Sequence, residues 1–222
     1  MVTRRRVLLV VVAAALLVSA AAGYITVTKR SWHGGTAIEA GMGGDSMGVP
    51  ALVGDRLYYI GPGIVNSSDT PITLRAIRPY KSPPGLDFVD VRSYRVADFD
   101  GGSLMAWFSS TTGVGVGDDP AKHRSEPVIG KTIEPGRSLV SVEREFIMLE
   151  FRVSRSGNLY IPCLEAEYDA RGVRYKQTIG ALYETRVYTT KEELDKAEDK
   201  RFKNFPGVPN LSCPHRASDP QD

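Results

Sequence analysis

The sequence predicts an all-β domain of about seven or eight strands, arranged in two antiparallel sheets that pack face to face. From about residue 52 to residue 188, short β-branched and aromatic runs alternate with clusters of Gly, Pro, Asp and Ser. In the clearest run, residues 147–153, four apolar side chains share one face while Glu150 and Arg152 lie on the other, with the period of two that marks a half-buried strand. A closed barrel is the structural alternative.

Turn residues separate the other predicted strands. The loop 66–71 divides a strand at 58–65 from one at 72–78, and Pro135-Gly136 forms a turn ahead of the clearest strand. Alternation before and after the turn at 169–172 predicts a hairpin. The remaining predicted elements are the strands at 88–96 and 104–108 and the hairpin arms at 164–168 and 173–177.

Residues 1–30 are typical of a transmembrane signal anchor. The apolar run 7–28 has about 22 residues, and as a helix it would be roughly 33 Å long, enough to cross the lipid bilayer. The positive charges that precede it predict a cytoplasmic N-terminus and an extracytoplasmic domain. These charges are Arg4, Arg5 and Arg6.

Removal of this segment is the alternative to a retained anchor. Ala20 and Ala22 fit the small-residue pattern of a signal-peptidase site, and cleavage there would give a secreted protein. The apolar run is long for a signal peptide and continues beyond these alanines. We therefore expect a single-pass protein of the cell membrane.

The segments that flank the domain differ from it in composition. Residues 31–50 are rich in Gly, which predicts a flexible linker before a β-sandwich domain at 51–189. Thr190 and Glu193 have the spacing of a capping box and predict a short polar helix at the start of the segment 190–222. The rest of that segment is rich in Pro and polar residues and predicts a disordered tail.

Charge and cysteine content narrow the possible functions. Residues 1–30 contain five of the 28 basic residues and none of the 26 acidic ones, so the remainder carries 23 basic against 26 acidic residues. A net charge of about −3 without a basic stripe argues against nucleic-acid binding.

Cys163 and Cys213 are predicted to form a disulfide that closes a loop of about 50 residues and raises the free energy of unfolding by roughly 4 kcal/mol. Two separate thiols are the alternative.

Three stretches resemble the immunoglobulin-like domains of bacterial envelope proteins. Residues 65–74 (VNSSDTPITL) resemble their strand–loop–strand signature, and residues 133–138 (IEPGRS) resemble the lead-in to a long core strand. Residues 168–172 (YDARG) resemble their final hairpin, and the N-terminus is similar to that of single-pass or secreted envelope proteins of high-GC Gram-positive bacteria. The resemblance implies an immunoglobulin-like β-sandwich and carries no catalytic residues.

Donor residues for a metal site are few and scattered. Cys213 and His215 stand two residues apart, and Met42 and Met47 lie in the predicted linker, so an extracytoplasmic copper-binding or copper-delivery domain is the alternative function. His33 and His123 lie in predicted loops, where an exposed neutral histidine is common. We therefore predict no metal site and no cofactor.

Catalytic patterns are equally weak. The sequence has no Gly-x-Ser-x-Gly elbow, and its Gly-rich loop ends in Asp118-Asp119 without the lysine of a phosphate loop. Glu165 and Glu167 share one strand face, which suits acid–base chemistry but is more typical of a solvated sheet surface. The sequence thus predicts a non-enzymatic, membrane-tethered extracytoplasmic module that binds or supports an unknown envelope protein or polymer.

Overall fold

The computed structural model describes residues 32–40, 48–99, 107–110, 119–141 and 144–198. In these residues there are thirteen strands, one α-helix and two short 3-10 helices, Val96–Asp98 and Pro120–Lys122. The strands and the helix are β1 (His33–Gly34), β2 (Ile38–Ala40), β3 (Gly48–Leu52), β4 (Arg56–Ile60), β5 (Ile64–Asn66), β6 (Ile72–Pro79), β7 (Leu86–Arg95), β8 (Trp107–Ser109), β9 (Ser125–Pro127), β10 (Thr132–Ile133), β11 (Glu145–Val153), β12 (Gly157–Ala170), β13 (Val173–Tyr188) and α1 (Lys191–Glu198).

Two larger sheets and one small pair make up the architecture. The first sheet has the strand order β13-β12-β6-β10, and β3 runs parallel to the far part of β13. The second sheet, β8-β4-β11-β7-β9, is antiparallel throughout. The strands β2 and β5 form a separate antiparallel pair. The predicted mainly antiparallel, all-β fold is therefore confirmed.

The core lies between the two larger sheets. Alternate residues of β11 in the second sheet and of β6 and β12 in the first contribute to one apolar cluster, as the period of two requires. Phe151 is fully buried in this cluster and makes edge contacts with Tyr59 and Phe88, at ring-centroid distances of 5.9 and 5.5 Å. Among the described residues no strand pairing joins the two sheets, which favours the sandwich over the closed barrel.

A second apolar cluster lies on the opposite face of the second sheet. Tyr94 and Phe146 stack there, and Phe99 packs against both rings. The ring of His123, next to the 3-10 helix Pro120–Lys122, lies 4.3 Å from that of Phe99. The chain around His123 therefore covers part of a sheet face that would otherwise expose aromatic residues.

The hairpin arms extend well beyond their predicted ends. The strands β12 and β13 have 14 and 16 residues, because a bulge between Ile161 and Cys163 lets the alternation resume with its register shifted.

The strand predicted at 58–65 is instead two strands, β4 and β5. Between them Gly61 passes so close to Ile147 that a Cβ atom would lie 3.1 Å from its Cγ2.

The range predicted as a linker also differs from the structure. The strand β2 pairs with β5, and β3 pairs with β13, so residues 38–40 and 48–50 are parts of sheets. Ile38 is only 2% exposed, and its backbone is bonded to the side chain of Gln177, 139 positions away in the sequence. Composition could not indicate such contacts, because the segment itself has few apolar residues.

At the other end of the domain, α1 begins as the capping box predicted. The Glu193 N–H donates to Thr190 Oγ1 at 3.3 Å, and the Thr190 N–H donates to Glu193 Oε2 at 3.4 Å. Leu194 is buried at 4% exposure and packs the helix onto the domain.

Among the described residues no helix is long and apolar enough to cross a membrane. The predicted anchor with its arginines and alanines, and the predicted tail after residue 198, lie outside the described residues.

Candidate functional site

An open pocket of about 320 Å³ lies where the β12–β13 hairpin turns at one end of the first sheet. Three segments that are distant in the sequence meet there: the segment that leads into β2, the loop between β5 and β6, and the hairpin tip. We call it the tyrosine pocket, and it is lined by Gly34, Thr36, Ala37, Ser67, Ser68, Asp69, Thr70, Tyr168, Ala170, Arg171 and Tyr175.

Two tyrosines from the hairpin form the inner wall. Tyr168 and Tyr175 are opposite each other in the antiparallel register, and their rings stack at 5.5 Å with an interplanar angle of 16°. Tyr168 is 1% exposed, whereas Tyr175 is only partly buried. Burial raises the pKa of Tyr168, so its hydroxyl remains protonated. It accepts a hydrogen bond from the Ala37 N–H at 3.0 Å and donates one to Gln177 Oε1 at 3.4 Å.

Close approach of the first segment to this wall requires glycine at position 35. A Cβ atom there would lie 2.3 Å from the Tyr168 hydroxyl oxygen and 2.8 Å from its Cζ. The Gly35 N–H donates to the carbonyl of Lys176 at 2.9 Å, which fixes the segment along β13. The aromatic wall and the first segment are thus packed together without space for a side chain between them.

The side chain of Gln177 bonds to the backbone of Ile38 in the way that a neighbouring strand would. Its Oε1 accepts from the Ile38 N–H at 3.0 Å, and its Nε2 donates to the Ile38 carbonyl at 2.6 Å. Both groups are buried, and Gln177 itself is 5% exposed. This pair of bonds satisfies backbone groups that would otherwise lie buried without partners.

The pocket loop is organised by the side chain of Asn66, which is fully buried. Its Nδ2 donates to the carbonyls of Thr70 and Ile133, at 2.8 and 2.9 Å. Its Oδ1 accepts from the Ser68 N–H at 3.0 Å and from the Ser68 hydroxyl at 2.7 Å. Asn66-Ser67-Ser68 fits the N-glycosylation pattern, but the amide nitrogen is buried and occupied, so the folded domain cannot be modified there.

A pair of opposite charges lies at the pocket mouth. Arg171 Nη2 is 3.3 Å from Asp69 Oδ2, and both side chains are largely exposed, at 68% and 84%. Arg171 and Gly172 form the two-residue turn between β12 and β13 and have φ values of +49° and +75°, which is the pattern of a type I′ turn. Arg171 is the one non-glycine residue with positive φ in the described part of the chain, and it is not a residue that favours this conformation.

This backbone conformation makes a testable prediction. Asparagine tolerates the left-handed region of backbone conformation better than arginine does. The substitution would remove the ion pair with Asp69, but an ion pair so exposed contributes little to folding stability. We expect Arg171→Asn to raise the free energy of unfolding by about 0.5 kcal/mol, measured by urea denaturation. Arg174→Asn, in the regular part of β13, is the matched control and should not raise it. A loss above about 1 kcal/mol for Arg171→Asn would show that the arginine is needed for folding.

The carboxylates Glu165 and Glu167 belong to a different surface, the outward face of the first sheet. Each is 8% exposed, because the long side chains of Arg78 and Lys176 lie over them. Lys176 Nζ is 2.8 Å from Glu165 Oε1, Arg78 Nη2 is 3.2 Å from the same oxygen, and Arg78 also bonds to Glu167. A solvated strand face is therefore wrong for these two residues. They are engaged in ion pairs between strands and do not form part of the tyrosine pocket.

The predicted disulfide remains a prediction. Cys163 is fully buried in β12, and Cys213 lies outside the described residues. No disulfide occurs between two residues that the structure describes.

The metal donors of the alternative function lie outside the part of the chain that the structure describes, so that function stays a prediction. Among the described residues, no group of three or more His, Cys, Asp or Glu residues is placed to hold a metal ion. His123 packs against Phe99, far along the chain from His33. Cys213, His215, Met42 and Met47 lie outside the described residues, as does Asp118 in the Gly-rich loop. Asp119 is described, and its Oδ1 accepts a hydrogen bond from the Ala121 N–H at 3.0 Å.

The tyrosine pocket is not evident from the sequence. The loop 66–71 and the hairpin tip at 169–172 both have turn chemistry, but nothing in the sequence pattern places the two side by side. The abundance of tyrosine, ten residues, was the one compositional signal. A second cavity of about 450 Å³ lies beside the β6–β7 connection, and its lining includes Pro83, Pro84 and Phe88.

No protein-family model matches the chain, and no curated protein matches it. Among solved structures, the VesB protease of Vibrio cholerae is similar with a TM-score of 0.34 and 8% identity, over 68% of this chain and 32% of the protease chain. This chain therefore spans about a third of the length of that protease. A non-cellulosomal cohesin from the hyperthermophilic archaeon Archaeoglobus fulgidus is similar with a TM-score of 0.28 and 18% identity, over 72% of this chain and 96% of the cohesin.

Proposed function

We propose that the chain is a non-enzymatic binding module of the bacterial cell envelope and that it binds its partner at the tyrosine pocket. The observation that carries this proposal is the combination, in one open pocket, of a partly exposed aromatic ring and an exposed pair of opposite charges. Tyr and Arg are the side chains that most often contribute binding energy at recognition sites. In this pocket both stand on the β12–β13 hairpin.

Folding stability alone does not explain the pocket mouth. An ion pair as exposed as that of Asp69 and Arg171 contributes between 0 and about 1 kcal/mol. The positive φ of Arg171 costs about 1 kcal/mol or more. Because the two effects cancel at best, the arrangement is better understood as serving an external ligand.

The hydroxyl groups of the pocket support binding over hydrolysis. Ser68 is bonded to Asn66, and Ser67 donates to the carbonyl of Ala37 at 3.1 Å. Neither His nor Cys is among the residues that line the pocket, so a serine there has no imidazole to act as its base. A polar, pre-formed cleft without an activated nucleophile is suited to recognition.

The proposal includes the predicted location. If residues 7–28 anchor the chain with the N-terminus in the cytoplasm, the domain and its pocket face the cell exterior. An immunoglobulin-like sandwich is a suitable scaffold for this role, since its loops and hairpin tips gather at the two ends of the sheets. The tyrosine pocket lies at such an end.

Site-specific photo-crosslinking in intact cells tests the binding proposal. A benzoylphenylalanine at Ser67, an exposed rim position, in the full-length chain should give a crosslinked adduct on irradiation. The same probe at Val89, which is 48% exposed on the second sheet, is the matched control and should give none. Combining the Ser67 probe with Tyr175→Ala should abolish the adduct, because the aromatic contact is lost. No adduct at Ser67, or equal adducts at both positions, would contradict the proposal.

A further inference from the structure

We infer that the ligand of the tyrosine pocket is an uncharged saccharide unit of an envelope polymer. The inference rests on the proposed function and goes further by naming the chemistry of the ligand. Three properties of the pocket carry it: its size, the partly exposed aromatic ring of Tyr175, and the balance of charges and hydroxyls at its mouth.

Size limits the ligand to a small unit. Small-molecule sites usually enclose roughly 300 to 1,000 Å³, and the tyrosine pocket has about 320 Å³. A space at the lower end of that range holds a single ring-sized group. The pocket is open to solvent, so a chain of such groups can continue outward on either side of the bound one.

The aromatic wall presents a flat surface to that group. Tyr168 is buried beneath Tyr175, so Tyr175 is the tyrosine whose ring remains partly exposed to a ligand. An aromatic face carries partial negative charge and attracts the weakly positive C–H bonds of an opposing surface. A pyranose ring has one face composed mainly of C–H bonds and hydroxyl groups around its edge. It can therefore stack on Tyr175 and leave its hydroxyls free to reach the rim.

The rim favours a neutral ligand with many hydroxyl groups. Asp69 offers only acceptors and Arg171 only donors, and their charged atoms are 3.3 Å apart. An anion drawn to Arg171 would meet the Asp69 carboxylate, and a cation drawn to Asp69 would meet the guanidinium. A sugar hydroxyl both donates and accepts, so vicinal hydroxyls can bond to both residues without unbalancing their charges. The rim hydroxyl of Thr36 adds a group of either kind, and the Ser67 hydroxyl, which already donates to Ala37, adds an acceptor.

Titration of the full-length chain with defined oligosaccharides tests the inference. The probes are neutral hexamers of glucose, mannose, galactose and N-acetylglucosamine, with hexagalacturonate as the anionic comparison. Binding is followed by saturation-transfer NMR and calorimetry. We expect at least one neutral series to bind, and to bind about tenfold more tightly than hexagalacturonate.

The variants locate the binding. Tyr175→Ala and Arg171→Asn should each weaken it about tenfold or more, while Tyr80→Ala should leave it unchanged. Tyr80 is the matched control, because it is also partly exposed but follows the other end of β6, roughly 23 Å from the pocket loop by strand length. Because urea denaturation is expected to show no loss of stability in Arg171→Asn, weaker binding by this variant would report lost contacts and not lost folding.

The possible results distinguish the two proposals. If no neutral hexamer binds, or if hexagalacturonate binds as well as they do, the saccharide inference is overturned. A Ser67 adduct with a protein would then leave the binding module intact with a protein as its ligand. If the Ser67 adduct also fails to form, both proposals are overturned. Binding that survives both Tyr175→Ala and Arg171→Asn would also overturn the inference, since it would place the saccharide elsewhere.

Discussion

Replacing Gln177 with leucine should lower the free energy of unfolding by about 3 kcal/mol. Leucine is similar in size, so the change mainly removes the two hydrogen bonds to Ile38. The Ile38 N–H and carbonyl are then left buried without partners, and each such group costs roughly 1 to 3 kcal/mol. Tyr168 also loses the acceptor of its hydroxyl, which adds to the cost.

This loss of stability should be accompanied by release of residues 35–40, the segment that contributes one wall of the tyrosine pocket. Hydrogen exchange at residues 35–40 should become faster in Gln177→Leu under native conditions, while exchange in β11 changes only with global stability. Urea denaturation gives the free energy. Thr178→Val is the matched control, because Thr178 is adjacent on β13 but on the opposite face of the sheet, and it should change stability by about 0.5 kcal/mol or less.

A different outcome would change the account of this segment. If Gln177→Leu costs less than about 1 kcal/mol and hydrogen exchange at residues 35–40 is unaffected, other contacts fix this segment.

The effect of Gln177→Leu on partner binding is separate from its effect on stability. We expect the Ser67 crosslink to weaken in Gln177→Leu even at a temperature where the domain remains folded, since one pocket wall has moved.

The contrast between Gln177 and Thr190 shows which features sequence reasoning can find. Thr190 and Glu193 are three residues apart, and their reciprocal hydrogen bonds are a local pattern that the sequence displays directly. Gln177 and Ile38 are 139 positions apart. A buried glutamine that bonds to a distant backbone has no sequence signature, because any strand position can carry one. For this reason the range 31–50 was predicted as a linker.

Strand prediction succeeded and failed for the same physical reason. In the run 147–153 an apolar residue of the core recurs at every second position, and the run lies within β11. In β12 the bulge between Ile161 and Cys163 breaks the alternation, so only the part after Cys163 was predicted. Glu165 and Glu167 point away from the core, as alternation requires. Their burial under the side chains of the neighbouring strands depends on which strands those are, and that is a matter of topology.

Asn66→Ala should be about as damaging as Gln177→Leu, at roughly 3 kcal/mol, but through the opposite wall of the pocket. The side chain bonds to the carbonyls of Thr70 and Ile133 and to the N–H of Ser68, and alanine would leave all three groups without it. Asn66 is fully buried, so water cannot readily replace these bonds. We expect the loss in urea denaturation and faster hydrogen exchange at residues 67–70.

Asn66→Asp separates the donor role of this side chain from its acceptor role. The carboxylate can still accept from Ser68, but its second oxygen would face the carbonyl oxygens of Thr70 and Ile133, where the amide nitrogen donated. Burying this charge against two acceptors should make Asn66→Asp at least as destabilising as Asn66→Ala at neutral pH. Ser67→Ala is the matched control in the same loop. Its hydroxyl makes one exposed bond to Ala37, so its loss should cost well under about 1 kcal/mol. If Asn66→Asp is instead milder than Asn66→Ala, the bonds accepted from Ser68 determine the shape of the loop, and the two donated bonds contribute little.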